Sequence, residues 1–137
     1  MKLKLQLVQD GEVVFEIPLS PTDWPKEQLE NELESLEDNF QRVSRIFAVL
    51  SHDTRLRMMK RLMKEEDYTI NFTDFMRDLN LNPKIVWENA KKLRDGGLLE
   101  KVDRGIYRCS SFGQRRFILV SFAFRHLIEA LEEMENY

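Results

Sequence analysis

The stretch between Asn82 and Gly97 constrains the fold more than any other, because it carries both a helix start and a helix stop. Asn82 can accept hydrogen bonds from the free N–H groups of a helix start. Pro83 suits the first helical position, where a backbone donor would have no partner. Gly96 and Gly97 are typical of a helix end. The sequence therefore predicts one short helix over residues 83–95.

The predicted helix has one apolar stripe and one charged face. Val86, Ala90 and Leu93 recur at spacings of four and three residues, which places them on the side that packs against a core. The other side carries Lys84, Trp87, Glu88, Lys91, Lys92 and Arg94. A helix of this size fits the major groove of DNA, and its charged face could contact phosphates or base edges. Taken alone, the pattern also fits a surface helix with a solvated basic face.

The segments on both sides of this helix favour a helix-turn-helix with a wing. Residues 73–81 are typical of a helix capped by Thr73, and the short connection to the next helix requires a sharp turn. Downstream, two strand-like runs flank Arg104-Gly105, which predicts a hairpin over residues 98–109. Helix, turn, helix and hairpin in this order indicate a winged helix-turn-helix.

Charge is segregated along the chain, although the formal net charge is only −3. Residues 1–40 hold 3 Lys/Arg and 10 Asp/Glu, residues 41–108 hold 15 and 10, and residues 109–137 hold 3 and 4. The net charges are therefore −7, +5 and −1, so the basic segment is the predicted winged helix. A local positive surface attracts phosphates whatever the overall isoelectric point.

The N-terminal part predicts a hairpin followed by a long helix. Residues 1–19 alternate apolar and polar side chains on both sides of Asp10-Gly11, a strong hairpin signal. Because an isolated hairpin is marginally stable, we expect it to serve as a structural lid or a brace in a dimer. A helix is predicted over residues 25–50, and its apolar residues form a heptad seam: Leu29, Leu33, Leu36, Phe40, Val43, Phe47 and Leu50.

The seam needs a covering surface, and we favour a second copy of the chain over the C-terminal helix of the same chain. That C-terminal helix is predicted over residues 111–136, with a cap at Ser110 or Ser111. Its apolar residues occupy more than one side, so we expect burial on more than one face. Three of them are predicted to join the seam in a dimer interface: Phe122, Leu127 and Leu131.

Residues 50–57, Leu-Ser-His-Asp-Thr-Arg-Leu-Arg, resemble the opening of the ArsR-type winged-helix repressors, with Asp53 where that family usually has proline. The likeness covers residues 45–110. It includes residues 94–100, Arg-Asp-Gly-Gly-Leu-Leu-Glu, which are similar to the family's exit from the recognition helix. The resemblance implies a DNA-binding domain over residues 45–110 and a dimer made by the terminal helices.

The resemblance also implies that groove contacts come from the first two turns of the recognition helix, here Lys84, Trp87 and Glu88. Glu88 stands where these repressors commonly have arginine, and a glutamate can accept from a cytosine amino group. Arg104 at the wing tip suits a phosphate or minor-groove contact. The predicted DNA-binding residues are Lys84, Trp87, Glu88, Lys91, Lys92, Arg94, Lys101, Arg104 and Arg108.

Metal sensing, which occurs in the family that the chain resembles, is disfavoured. One cysteine and two histidines cannot build a typical structural zinc site. At the positions of the family's ligands, the chain has Asn71 and Thr73 for the cysteine pair, and Gly113 and Arg115 opposite a half-site at His126. We expect no metal and no cofactor. Cys109 fits either a small buried residue or a redox switch.

The predicted fold class is mainly α with small β (α+β): a winged helix-turn-helix with an N-terminal β-hairpin and long N- and C-terminal dimerisation helices. No catalytic motif accompanies the histidines or serines, so we expect no enzyme. No leader or membrane-length apolar run is present, so we expect a cytoplasmic protein with double-stranded DNA and a second copy of itself as partners. The sequence specifies no effector.

The alternative is a winged-helix interaction module of the transcription machinery. In that interpretation residues 27–38, with six Asp/Glu and no Lys/Arg, bind a basic protein. Winged helices perform both roles. One continuous positive face made by Lys84, Lys91, Lys92 and Arg104 favours DNA.

Overall fold

The computed structural model describes residues 2–136, and the chain divides into two compact units, residues 1–42 and 43–137. The first unit contains β1 (Lys4–Gln9), β2 (Glu12–Pro18), a 3-10 turn (Pro21–Asp23) and α1 (Lys26–Glu34). Helix α2 (Leu36–Leu50) crosses the boundary. The second unit contains α3 (Asp53–Met63), β3 (Thr69–Asn71), α4 (Phe72–Leu79), α5 (Pro83–Asp95), β4 (Glu100–Asp103), β5 (Ile106–Arg108), α6 (Ser111–Ile118) and α7 (Phe124–Glu135).

The predicted N-terminal hairpin is confirmed. Asp10 and Gly11 both have positive φ, 51° and 81°, as a tight two-residue turn between twisted strands requires. Strands β1 and β2 pair antiparallel, and a register shift follows Leu7. Gln6 lies opposite Glu16 and donates a 2.8 Å hydrogen bond to its carboxylate.

The segment over residues 25–50 differs from the prediction of one unbroken helix, because Ser35 separates α1 from α2. Ser35 has φ −100° and ψ 10°, and its hydroxyl donates to the Asn31 carbonyl oxygen at 3.1 Å. A serine hydroxyl that bonds to the preceding turn competes with the backbone ladder and bends a helix. The heptad pattern did not indicate this break, since it records only apolar positions.

The second unit has the predicted winged helix-turn-helix fold. Helices α3, α4 and α5 pack against one another, and β3, β5 and β4 form an antiparallel sheet in that order. Strand β3 was not predicted; its Ile70 pairs with Tyr107 of β5. The largest completely buried side chains are Phe75, Met58, Met59, Leu62, Leu93, Leu98, Val86 and Cys109.

Side-chain caps begin three of the helices of this unit. The Asn82 side chain accepts from the Ile85 amide at 2.9 Å, and Pro83 is the first residue of α5, as predicted. Helix α4 begins two residues earlier than a cap at Thr73 predicts, because the cap is Asn71: its side chain accepts from the Asp74 amide at 2.8 Å.

The C-terminal segment begins at the predicted cap, since Ser110 accepts from the Gly113 amide at 3.1 Å. It is not a regular α-helix throughout, because a π-helical turn at Leu119–Ala123 lies between α6 and α7. Among residues 2–136, no helix combines the length and the apolar character needed to cross a bilayer.

Candidate nucleic-acid interface

Helix α5 is fixed to the core by the predicted apolar stripe. Val86, Ala90 and Leu93 are at most 1% exposed. Of the predicted DNA-binding residues of this helix, Glu88 is half-buried and the others are exposed: Lys84, Trp87, Lys91, Lys92 and Arg94. Five of the six predicted side chains of this helix are therefore exposed to solvent, and four of these five are cationic.

The cations of this face are only weakly engaged within the protein. Lys84 Nζ lies 4.0 Å from a carboxylate oxygen of Glu88, at the limit of an ion pair. Lys91 Nζ lies 5.6 Å from the centre of the Trp87 ring, a cation–π contact. Exposed contacts of both kinds contribute at most about 1 kcal/mol, so phosphates could replace them at low cost.

A buried polar network, which the sequence interpretation missed, sets the orientation of α5. Arg55 of α3 donates from Nε to the Val49 carbonyl oxygen at 2.6 Å and from Nη1 to Asn89 Oδ1 at 3.1 Å. Asn89 in turn donates to the Ile85 carbonyl oxygen at 2.8 Å. Arg55 and Asn89 are only 8% and 7% exposed. The sequence did contain a signal that Asn89 is buried. Asn89 follows the apolar Val86 by three residues, and residues three apart lie on the same face of a helix.

The end of α5 is held by a cation of α6. Arg116 Nη1 donates to the Gly96 carbonyl oxygen at 3.1 Å, and its guanidinium lies 4.1 Å from the centre of the Phe112 ring. Gly97 has φ 74°, and an added Cβ would collide with Arg116 Nη1. The positive φ therefore favours glycine at this helix end, and any side chain here would also have to displace the Arg116 guanidinium.

The three basic residues of the wing that are predicted to contact DNA differ in whether they form an ion pair. Lys101 and Arg104 are exposed and have no ion pair among the described residues. Arg108 instead donates from Nε and Nη2 to one carboxylate oxygen of Glu100, at 2.9 and 2.5 Å. A phosphate contact by Arg108 would first have to displace Glu100.

The predicted dimer residues lie in both units and most of them are exposed. Two of them, Leu29 and Leu127, are half-buried. The exposed fractions of the others are Leu33 56%, Leu36 50%, Phe40 68%, Val43 50%, Phe47 37%, Phe122 47% and Leu131 40%. Phe47 also packs edge-on against Phe124, with ring centres 5.3 Å apart.

The positions of the ArsR-type metal ligands have other structural roles here. Asn71 caps α4, and a Cβ on Gly113 would lie 2.7 Å from the Leu98 carbonyl oxygen, so no side chain fits there without a backbone shift. His126 is exposed, with Nε2 3.3 Å from a guanidinium nitrogen of Arg125. Within residues 2–136, no three His, Cys, Asp or Glu side chains are grouped to hold a metal ion.

We therefore expect zinc, cadmium and arsenite to leave the affinity for DNA unchanged. Thiolate and imidazole ligands are the groups that bind these ions, and the family's positions for them hold Asn71, Thr73, Gly113 and Arg115. A binding titration with and without micromolar metal measures this. A tenfold release of DNA would contradict the expectation.

Cys109 is buried behind the wing. Its amide donates to the Tyr68 carbonyl oxygen at 2.9 Å, and its side chain is 1% exposed. Burial, with a smaller contribution from the nearby Glu100 carboxylate, raises the pKa of the Cys109 thiol from its ordinary 9.0 to about 11. The thiolate is the reactive form, so this environment disfavours a redox switch.

We expect the native protein to react with a thiol reagent at pH 8 at least about a hundredfold more slowly than the unfolded chain, because a rise of two pKa units lowers the thiolate fraction by that factor. The neutral thiol also affects stability. Its stabilising contribution is complete below pH 9 and is lost as the pH rises towards the folded pKa of about 11. Equal reaction rates for native and unfolded protein would contradict this account.

Comparisons with known proteins identify a likeness in shape. No family model and no curated protein sequence matches the chain. A solved structure of a MarR family transcriptional regulator from Streptomyces coelicolor is similar at 13% identity and a TM-score of 0.49, over 82% of this chain and 80% of that one. The assignment of the winged-helix fold rests on the helices and strands of this chain themselves.

Proposed function

We propose that the protein is a sequence-specific, DNA-binding transcriptional regulator that acts as a homodimer. Helix α5 would enter the major groove, and the wing over residues 98–109 would contact the backbone or the minor groove. The observation that carries the proposal is the division of α5 into a completely buried stripe and an exposed face with four cations and a tryptophan. A rigidly seated helix with such a face suits groove recognition.

The two kinds of side chain on this face suit two kinds of DNA contact. Lys92, Arg94 and Arg104 carry exposed charges without ion pairs among the described residues, which suits phosphate neutralisation. Lys84 and Trp87 stand on the first turns of α5, where side chains reach base edges in a docked helix-turn-helix. The acidic overall charge does not oppose this, because residues 1–40 carry a net charge of −7 while residues 41–108 carry +5.

The homodimer is proposed because a single copy of the chain leaves many large apolar side chains exposed. Leu36, Phe40 and Val43 follow the heptad spacing of α2 and are each at least half exposed. The α6–α7 segment exposes further large apolar side chains: Ile118, Leu119, Phe122, Ile128, Leu131 and Met134. Large apolar side chains left exposed in such number are typical of interaction sites, and a seam that repeats every seven residues suits a second copy of itself. Two copies would read a roughly palindromic site.

The ArsR-like assignment and a role as a repressor belong to this proposal and rest on the sequence resemblance over residues 45–110. The proposal includes no catalysis, cofactor or metal. Localisation in the cytoplasm is also part of this proposal.

The test is a mobility shift on the DNA upstream of the protein's own gene, repeated across a salt series. A specific complex should resist competition by random DNA and should weaken steeply with salt as counterions are released. Binding that is absent at low salt would overturn the proposal. The winged-helix interaction module would then be the better account, with residues 27–38 as the acidic surface for a basic protein.

A further inference from the structure

We propose that the N-terminal hairpins of two copies pair along β1, so that the homodimer contains one four-stranded antiparallel sheet with both β1 strands at its centre. The inference rests on the proposed homodimer and adds a surface that the helical seam does not include. Strands β1 and β2 form a sheet by themselves, and no third strand joins it among residues 2–136. A two-stranded sheet has two open edges with unpaired backbone N–H and C=O groups, which an added strand would satisfy.

The two edges of the hairpin differ in how well they can accept another strand. Strand β2 contains Pro18, which has no N–H group, and an extra residue, Val14, which has no partner in the β1–β2 register. Prolines and bulges are features that prevent pairing at an edge. Strand β1 has neither over Lys4–Gln9. The edge that remains available is therefore that of β1.

The backbone groups on the β1 edge belong to alternate residues. Leu3 accepts a hydrogen bond from the Leu19 amide at 2.9 Å, so these two residues form a hydrogen-bonded pair. Such pairs alternate along an antiparallel ladder. The odd-numbered residues of β1 therefore bond to β2, whereas Lys4 and Gln6 direct their N–H and C=O groups towards the open edge.

Two copies of β1 are complementary to each other when they pair about a two-fold axis at Gln6. The Gln6 N–H of each copy then donates to the C=O of the partner's Gln6, as in a hydrogen-bonded antiparallel pair. In this register residues 4–8 of both copies are paired, and Leu5 lies opposite the partner's Leu7. Lys4 lies opposite the partner's Val8, so no like charges face each other.

This pairing also extends an apolar face that a single hairpin leaves exposed. Leu7 lies opposite Phe15, and both side chains are about half exposed. Ile17 lies on the same face, while Lys4 and Glu16 form an ion pair at 3.1 Å on the other. Joining the two β1 strands places the apolar side chains of both copies side by side. Contacts between large apolar side chains across strands stabilise a sheet.

A second copy is favoured over a strand of another protein because the proposed seam raises the effective concentration of a second hairpin. Leu36 and Phe40 of that seam belong to the same compact unit as the hairpin, residues 1–42. The β2 edges, with their proline and bulge, remain at the outside of the four-stranded sheet. Pairing therefore stops at two copies and does not continue into a fibre.

The first test is disulfide crosslinking of the complete chain in a Cys109→Ala background, measured on non-reducing gels after mild oxidation. Gln6→Cys should give a linked dimer, since the two Cα atoms of a hydrogen-bonded antiparallel pair are about 5.5 Å apart. Gln9→Cys is the matched control, because Gln9 is also an exposed glutamine of β1. In the proposed register the two copies of residue 9 are about 20 Å apart. We therefore expect it to crosslink at least about tenfold more slowly.

The second test measures the dissociation constant of the dimer by sedimentation. Gln6→Pro removes the N–H group on the open edge and spares the hydrogen bonds between β1 and β2. The loss of two hydrogen bonds per dimer should raise the dissociation constant about thirtyfold. Gln6→Ala keeps the N–H group and loses the side-chain bond to Glu16, so it should leave the dissociation constant unchanged.

Two results would overturn the pairing and leave the homodimer intact. The first is equal crosslinking of Gln6→Cys and Gln9→Cys, or crosslinking of neither, in a protein that sediments as a dimer. The second is the same dissociation constant for Gln6→Pro and Gln6→Ala. An unmodified chain that sediments as a monomer would reject the homodimer together with the pairing. Selective crosslinking of Gln6→Cys in a protein that does not bind DNA would refute the proposed regulator and support the paired hairpins.

Discussion

Phe40→Glu is expected to convert the protein from a dimer to a folded monomer at micromolar concentration. Phe40 is 68% exposed in a single copy, so its replacement should cost little within the monomer. In the dimer, each lost phenyl ring removes about 3 kcal/mol of apolar burial, and a carboxylate buried in its place adds a further penalty. With two copies of the change per dimer, the dissociation constant should rise about a thousandfold or more.

Sedimentation velocity with circular dichroism measures this, with Phe40→Leu as the matched control that keeps an apolar side chain. Phe47→Glu is a less specific probe, because Phe47 packs against Phe124 and its replacement should also destabilise the fold. A folded monomer formed by the unmodified chain at micromolar concentration would reject the homodimer.

Local signals were sufficient to predict α5 from the sequence. Its cap, its first proline, its glycine end and its apolar stripe all act within a few residues, and Asn82, Pro83 and Gly97 occur in the structure in those roles. The N-terminal hairpin was predictable for the same reason, because Asp10-Gly11 selects the turn without help from the rest of the chain.

Features that depend on partners far along the chain were not predictable. Strand β3 has three residues and exists because it pairs with β5, so it has no periodicity of its own. The cap of α4 was assigned to Thr73 because Thr73 and Asn71 are both good caps, and packing decides between them. Tertiary packing also buries Arg55, which would be read from sequence as a surface cation.

The sequence therefore predicts which side chains of the candidate interface are exposed, but not which of them pair with other residues of the protein. The exposure of Lys84, Trp87 and Lys91 follows from helical periodicity. The pairing of Arg108 with Glu100 depends on the cross-strand register of β4 and β5, which the sequence does not specify. Because of this pairing, Arg108 is already bound to a carboxylate, whereas Lys101 and Arg104 have no ion pair among the described residues.

The contribution of each cation to DNA binding should follow this division. Lys92→Ala, Arg94→Ala and Arg104→Ala should weaken binding to specific and random DNA alike, and each should lower the salt slope by about 0.9 per head. Arg108→Ala should have a smaller effect, because binding of phosphate by Arg108 must first break its bonds to Glu100.

Base-reading side chains should behave differently from these phosphate contacts. Lys84→Ala, Trp87→Ala and Glu88→Ala should each cost on the order of 1–3 kcal/mol per head on the specific site and less on random DNA. Trp87→Ala should also change the salt slope, because it releases Lys91 from the ring. Affinities for both DNAs across a salt series measure these effects, with Lys60→Gln as the control for loss of a cation elsewhere. If Lys84→Ala and Arg104→Ala both leave affinity and salt slope unchanged, this face does not bind DNA, and the protein-interaction module becomes the better account.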